Sequence, residues 1–353
     1  MMIDNVLTKR LGVKLPIIQA PMASATTPEM VISAARSGAL GSLGAAYMSP
    51  AEMVSAIRKI RGEVDHPFQV NLFSPIAKRE VTADAFSAAS DNLSAIRSDL
   101  GLENANEFPN FEHNFNEQFE VLIDEKIPIV GFHFGLPESR FVERIKSADA
   151  FVIGCATRST DAVTLEEAGV DAIIAQGFEA GGHQGTFGSD EPPSTFGLMA
   201  LVPQVVDAVS VPVIAAGGLM DGRGIAAVLK LGASAAQLGT AFLATPESKA
   251  QDVHKSLLVS GDHEGTRITR AFSGRPARGL INTMMDMLDK YPESILPFPY
   301  QHALTSRVRA EAALQGKAEY LPMWAGQGAG MVRSQSTEEI ILALAEGLEI
   351  ALR

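Results

Sequence analysis

Short apolar segments rich in β-branched residues recur along the chain, and each is followed by a stretch with the spacing of an amphipathic helix. This alternation is typical of parallel βα units. The segments predicted as strands cover residues 16–22, 39–46, 68–74, 127–135, 150–157, 171–177, 211–218 and 235–243. The predicted helices cover residues 28–37, 50–61, 138–147, 159–168, 195–209 and 222–232, with one or more within 76–125.

This number of strands favours one fold class over another. Eight parallel strands with mostly short crossovers fit a (β/α)8 TIM barrel better than a doubly wound sheet, which more often has about five or six strands. A doubly wound sheet also often carries G-x-G-x-x-G after its first strand, whereas the glycines of SGALGSLGAA form only a loose cluster. We therefore predict an α/β fold of the TIM-barrel type.

Two stretches are longer than the connections of a minimal barrel require. Residues 75–126 form a long connection that we interpret as an insertion with helical pieces, and residues 246–330 are predicted as a helical cap over one mouth of the barrel. The predicted domains are thus a barrel over 1–245, a cap over 246–330 and a C-terminal helix over 331–353 that packs on the barrel. Ser336 and Glu339 have the spacing of a capping box at the start of that helix.

Composition and net charge limit the kinds of molecule that the protein is expected to bind. The chain has 353 residues, of which 46% are hydrophobic, and a formal net charge of -12, which argues against nucleic acid and anionic membranes as partners. No basic, apolar leader follows Met1 and Met2, and no apolar run approaches the roughly 20 residues of a membrane span, so we expect a cytoplasmic protein. The expected assembly is a monomer or a homodimer. The single cysteine, Cys155, excludes an internal disulfide and is predicted to be a buried core thiol.

The stretch GFEAGGHQGTFG, residues 177–188, places His183 among five glycines. Such a stretch is consistent with a surface turn that holds an incidental histidine. Alternatively, Gly181, Gly182 and Gly185 clear space for a ligand towards which His183 points, because glycine is used where the backbone must come close to a bound group.

In TIM barrels the active site lies at the carboxyl ends of the strands, and the loops after strands seven and eight often hold phosphate. Here these loops are AAGGLMDGRG and QLGTAF. Gly217 and Gly218 allow backbone N–H groups to approach a phosphate, while Gly239 and Thr240 add amides and a hydroxyl. Tight strand-to-helix turns also use glycine, but two such loops at these two positions favour a phosphate site.

The other predicted strand ends are rich in neutral polar groups. The residues found there are Ala20, Pro21, Met22, Asn71, His133, Gln176, His183 and Gln237. Two histidines without an obvious third ligand do not favour a metal, so no metal site is predicted. Amides suit the edge of a planar heterocycle, and a phosphate site gives that heterocycle a tail. The simplest such cofactor is FMN.

Several stretches together resemble the nitronate monooxygenase family, formerly the 2-nitropropane dioxygenases, in its class I. They are GVKLPIIQAPMA, GFHFGLP, QGFEAGGHQGTF, VPVIAAGGLMDGRGIAAVLKLGASAAQLGTAFL and GRPARGLINT. The resemblance covers residues from about 10 to about 335. It implies an FMN-dependent barrel that oxidises alkyl nitronates, such as propionate 3-nitronate, with O2 to a carbonyl product and nitrite.

Matching positions carry roles from this resemblance. Flavin contacts are implied for Met22, Asn71, Gln176, Gly181, Gly218, Gln237, Gly239 and Thr240. His183 matches the family's catalytic histidine. His133 is implied as a second ring that could reach the same pocket and take the catalytic role, although it also fits a histidine that orients a loop through backbone contacts. Near the substrate the family usually offers several tyrosines and a lysine. This chain has Tyr300 with Arg307 or Arg309 instead, so His133, Tyr300 and Arg307 are predicted to bind substrate.

Two other functions fit the same pattern. A flavin-dependent reductase of the same barrel superfamily would use NAD(P)H to reduce a quinone or an enoyl thioester. A barrel that binds flavin or phosphate without catalysis is the other alternative.

Overall fold

The computed structural model describes residues 5–76, 79–105, 107, 114–188 and 192–353. Among these residues, eight parallel strands form one sheet. They are β1 (Ile17–Gln19), β2 (Gly41–Gly44), β3 (Phe68–Phe73), β4 (Ile129–His133), β5 (Phe151–Ala156), β6 (Ala172–Gln176), β8 (Val213–Ala216) and β9 (Ala235–Leu238). A parallel bridge between Ile18 and Leu40 joins β1 to the start of β2 and closes the sheet. The predicted (β/α)8 barrel is confirmed.

The strands end earlier than their apolar runs predicted. The run 235–243 leaves the sheet at Leu238 and continues as a 3-10 helix over Thr240–Phe242. The run 211–218 ends at Ala216 because Gly217 and Gly218 adopt φ of 130° and 66°, which are outside the strand conformation. These early ends place the glycines in the loops at the carboxyl edge of the barrel.

The barrel is apolar on both faces of its strands. Outward side chains such as Ile17 and Val70 pack against the surrounding helices, while inward side chains such as Ile18 and Ile129 fill the interior. Helix α1 (Val6–Leu11), which the sequence did not predict, adds Leu7 and Leu11 to this inner cluster. Asn5, which precedes α1, donates a side-chain hydrogen bond of 2.7 Å to the backbone oxygen of Ser234, directly before β9, so α1 lies at the amino-terminal end of the barrel.

Helices surround the sheet where the spacing predicted them. Those next to the barrel are α2 (Pro28–Arg36), α3 (Pro50–Glu63), α7 (Ser139–Ser147), α8 (Ser159–Glu167), α9 (Leu198–Ala208), α10 (Gly222–Lys230) and α15 (Thr337–Leu352). α15 packs against α10 and α2, and the predicted capping box of Ser336 and Glu339 is present. A Cβ on Gly222 would lie 2.1 Å from the backbone of Gly347, so glycine allows α10 and α15 to approach closely.

The segment after β9 contains helices and also a β-hairpin that the sequence did not predict. Its elements are α11 (Asp252–Ser260), β10 (Thr266–Thr269), β11 (Ala277–Leu280), α12 (Thr283–Leu288), α13 (Tyr300–Leu304) and α14 (Ser306–Gln315). β10 and β11 form an antiparallel hairpin, and β11 also pairs with β7 (Gly182–His183) of the glycine loop. The hairpin was missed because Arg267 and Arg278 interrupt the apolar pattern of its strands.

The long connection after β3 contains three helices, two of which pack against the post-barrel segment. Its helices are α4 (Ala83–Asn92), α5 (Ser94–Asp99) and α6 (Phe115–Asp124). Phe86 and Ile96 share a hydrophobic cluster with Met284, Leu304 and Val308 of the post-barrel segment. No helix in the described ranges is both long and apolar enough to cross a bilayer.

Candidate active site

A cavity of about 720 Å³ lies at the carboxyl ends of the barrel strands, under the post-barrel segment. Every residue that strand ends and glycine loops predicted for a cofactor lines it, together with both predicted catalytic histidines. They are Ala20, Pro21, Met22, Asn71, His133, Gln176, Gly181, Gly182, His183, Gly217, Gly218, Gln237, Gly239 and Thr240. The predicted substrate residues Tyr300 and Arg307 do not line it. Tyr300 packs against the hydrophobic cluster that the post-barrel segment shares with Phe86 and Ile96, and Arg307 is exposed.

The glycines around His183 serve different neighbours. A Cβ on Gly181 would come within 2.6 Å of the backbone of Ala325 and Gly326, and one on Gly185 would come within 2.7 Å of Cys155 Sγ. These two glycines therefore make room for the protein itself. Gly182, at φ 73°, has no atom within 4 Å of where its Cβ would be and borders open space. The stretch is a cavity-lining loop and not a surface turn.

The backbone of His183 is held by side chains from two barrel strands. Its carbonyl oxygen lies 3.1 Å from His133 Nε2 and accepts a hydrogen bond of 3.0 Å from Gln176 Nε2. Gln176 Oε1 in turn accepts from the Gly185 N–H at 2.7 Å. Because a carbonyl oxygen only accepts, His133 carries its proton on Nε2. His133 and Gln176 thus orient the loop, which is the backbone role that the sequence left open for His133.

The ring of His183 is fixed by one hydrogen bond and three aromatic neighbours. Its Nε2 shares a hydrogen bond of 2.8 Å with Ser273 Oγ, whose residue lies just before β11. Phe73, Phe134 and Trp324 surround the ring at centroid distances of 6.0, 5.7 and 5.6 Å. Ser273 was missed by the sequence analysis, although it directly precedes the GRPARGLINT stretch that carried the family resemblance.

Both histidines are neutral at pH 7. Burial, followed by the nearby His133 and the positive charges of Arg275 and Arg309, holds the pKa of His183 well below its usual range. Burial lowers the pKa of His133 to about 4. A neutral imidazole can accept a proton or a hydrogen bond from a ligand, so this end of the cavity presents a base and not a fixed cation.

A half-buried arginine brings positive charge to the cavity. Arg309 Nη2 donates to the backbone oxygen of His302 at 2.8 Å, and its Nε donates to Thr305 Oγ1 at 3.2 Å. The imidazole of His302 stacks on Tyr47 at 4.9 Å, and burial raises the pKa of Tyr47 to about 12. Arg309 makes no ion pair with a carboxylate of the described ranges, and burial lowers its pKa. The cavity thus holds a cation without an anionic partner.

The loops after β8 and β9 have the open backbone of an anion site. Gly217 and Gly218 have positive φ, and Gly239 has only ordinary contacts around its missing Cβ. The Thr240 hydroxyl accepts a hydrogen bond from the Gly326 N–H at 2.9 Å, which ties the post-barrel segment to the barrel. The side-chain oxygen of Gln237 is buried and has no hydrogen-bond partner within the described ranges. Because a buried acceptor is costly without a donor, this oxygen fits a ligand that supplies one.

The whole chain resembles proteins of one family. The family model for nitronate monooxygenase matches residues 4–347. The chain belongs to the nitronate monooxygenase family. It is 38% identical over 351 residues to a probable nitronate monooxygenase of Staphylococcus haemolyticus, covering 99% of this chain and 98% of that protein. Family membership makes it a flavin-dependent oxidoreductase, and it confirms the resemblance predicted from the motifs.

Two solved structures are similar to this member of the nitronate monooxygenase family. A nitroalkane oxidase from Streptomyces ansochromogenes superposes with a TM-score of 0.91 at 38% identity, covering 99% of each chain. FabK from Thermotoga maritima superposes with a TM-score of 0.77 at 28% identity, covering 99% of this chain and 97% of that one. Both similarities cover 99% of this chain and therefore include the post-barrel segment as well as the barrel.

Proposed function

We propose that this member of the nitronate monooxygenase family binds FMN and oxidises alkyl nitronates, propionate 3-nitronate among them, with O2 to a carbonyl product and nitrite. The observation that carries the proposal is the pairing, in one cavity, of a neutral histidine with a cation that lacks an anionic partner. His183 and Arg309 line the same cavity.

The residues at the β8 and β9 ends fit FMN. Gly217, Gly218 and Gly239 would approach its phosphate with backbone N–H groups, and the partnerless oxygen of Gln237 would accept from the flavin ring edge. A dinucleotide would need a second phosphate site, and the sequence offers no further glycine fingerprint. When bound, FMN supplies the electron transfer between the nitronate and O2 that no side chain can provide.

Arg309 would hold the anionic end of the substrate. A nitronate carries its negative charge on two oxygens of one planar group, which matches the fork of a guanidinium. The hydrogen bonds to His302 and Thr305 fix the orientation of Arg309 before the substrate arrives. Tyr47, whose raised pKa keeps its hydroxyl protonated, lines the same part of the cavity and would donate a further hydrogen bond.

His183 would act on the carbon that bears the nitro group. Towards a neutral nitroalkane its neutral ring would accept the α-proton, whereas towards a nitronate, already deprotonated, it would only position the substrate. The nitrogen that faces the substrate is Nδ1, because Nε2 is engaged by Ser273.

The test is to measure oxygen uptake and nitrite release by the purified protein with propionate 3-nitronate and ethyl nitronate, after its flavin has been identified by chromatography of the denatured protein. We expect FMN, and nitrite formed only when a nitronate and O2 are both present. Anaerobic bleaching of the flavin by NADH, with quinone turnover and without nitronate oxidation, would replace this proposal by the reductase. A flavin that no substrate reduces would indicate a binding protein.

A further inference from the structure

Part of the cavity is lined by apolar residues to which the proposed chemistry gives no role. We call this part the outer chamber and define it by six apolar lining residues: Ala25, Leu243, Ala250, Ala310, Ala313 and Leu321. α14 forms one wall, since Arg309, Ala310 and Ala313 lie on one face of that helix. α11 contributes His254 to the lining. The outer chamber thus begins beside the substrate cation and runs along α14.

The walls of the outer chamber carry little charge. His254 is only 7% exposed, and burial lowers its pKa to about 4, so it is neutral at pH 7. Ala310, Lys249 and Gln251 also line the cavity and are exposed to solvent, which places the mouth of the chamber at these residues. The outer chamber therefore has solvent-exposed residues at one end, a lysine among them.

We propose that the outer chamber binds the aliphatic tail of the substrate, so that the enzyme oxidises unbranched nitronates of about six or more carbons more efficiently than shorter ones such as propionate 3-nitronate. The inference rests on the proposed function, since it assumes a nitronate held at Arg309. From Arg309 to Ala313 α14 rises about 6 Å, which accommodates roughly four or five methylene groups of an extended chain. An apolar tail gains from this burial, whereas a charged group would lose its hydration without an ionic partner along the walls.

Three variants on one helix test the chamber. Ala313→Phe places a ring inside the outer chamber, and Ala310→Phe places one at its mouth, where the exposed position does not burden folding. Leu314→Phe is the matched control, because Leu314 follows Ala313 directly, is 83% exposed and does not line the cavity. Kinetics are measured by oxygen uptake with the nitronates of nitroethane, 1-nitropropane, 1-nitrobutane and 1-nitrohexane.

For the wild type we expect kcat/KM to rise about two- to fourfold for each added methylene up to six carbons. Ala313→Phe and Ala310→Phe should remove most of this rise while ethyl nitronate is oxidised within about twofold of the wild-type rate. Leu314→Phe should behave as the wild type. A wild-type rate that is independent of chain length, or equal losses on short and long substrates in Ala313→Phe, would overturn the inference.

A binding measurement separates this inference from the proposed function. Trp324, the single tryptophan of the chain, lines the cavity, so its fluorescence reports occupancy. In anaerobic titrations of the holoenzyme, 1-nitrohexane should bind at least tenfold more tightly than nitroethane, and Ala313→Phe should abolish the difference. This result without oxidation of any nitronate would refute the proposed function and retain the chamber. Equal affinities for both nitroalkanes would refute the chamber whatever the enzyme oxidises.

Discussion

Replacing Arg309 by methionine should impair turnover of nitronates without weakening the fold. Methionine keeps the length of the side chain and removes the charge. Truncating one member of a buried, hydrogen-bonded ion pair costs about 2–5 kcal/mol, and the open mouth of the cavity favours the lower end of that range. We therefore expect kcat/KM for a nitronate to fall by roughly 30- to 100-fold.

The stability of the fold, unlike the activity, should not fall in Arg309→Met. Arg309 is half-buried without an ionic partner in the described ranges, so its removal relieves part of a desolvation cost, and the melting temperature should stay equal or rise. The assays are oxygen uptake under initial-rate conditions and thermal unfolding of the same preparations, with flavin content checked in each.

Arg307→Met is the matched control. Arg307 lies on the same helix but is exposed outside the cavity, so its loss should leave kcat/KM within about twofold of the wild type. If Arg307→Met proves as harmful as Arg309→Met, or if Arg309→Met retains full activity, the assignment of the substrate cation is wrong.

Three further predictions concern the histidines and the glycine loops. His183→Asn should lose about 10²- to 10⁴-fold in oxygen uptake on a neutral nitroalkane and clearly less on its nitronate, whereas His133→Asn should affect both substrates alike; the reverse pattern would exchange their roles. The pKa of His254 is about 4 in the folded protein and about 6.5 in the unfolded chain, because burial disfavours the charged ring. The unfolded chain therefore takes up this proton first, and the free energy of unfolding should fall by about 3 kcal/mol as the pH drops from 6.5 to 4. Urea unfolding between pH 7 and 4 should show His254→Gln to be less sensitive to acid than the wild type, and parallel curves would contradict this. Gly218→Asp should release flavin, since it adds a carboxylate at the phosphate site. Gly316→Asp, at nearly the same φ but outside the cavity, should retain flavin. Equal flavin retention in the two variants, measured by dialysis and absorbance, would place the phosphate elsewhere.

The barrel was predictable because each of its strands and helices is encoded by a short, continuous stretch of sequence. Each strand is buried on both faces and therefore appears as a short, nearly continuous apolar run, and each helix has its own periodicity and cap. The strand ends then identify cavity residues such as Asn71 and Gln237 without any knowledge of tertiary contacts, since parallel strands bring their carboxyl ends together.

The roof of the cavity was not predictable in the same way. Ser273, His302 and Arg309 reach the cavity only because the post-barrel segment folds back over the barrel, and no periodicity in the sequence encodes that long-range contact. Tyr47 follows a predicted strand end, but its aromatic side chain gave no sign of the histidine on which it stacks. Arg307 and Arg309 differ only in the face of α14 that they occupy, and that face is set by packing.

The pairing of β7 with β11 has a consequence for the order in which the enzyme matures during synthesis. His183 pairs with Ala277, and the Gln327 N–H donates to the Glu179 oxygen at 2.9 Å, so the ribosome must translate about 150 further residues after His183 before its loop is fully held. All eight barrel strands emerge before these partners do. A nascent or truncated chain that ends near residue 250 thus contains all eight strands but lacks both α15, which packs on α10 and α2, and the partners that hold the His183 loop. It should be inactive, and catalytic competence should appear as the last step of folding.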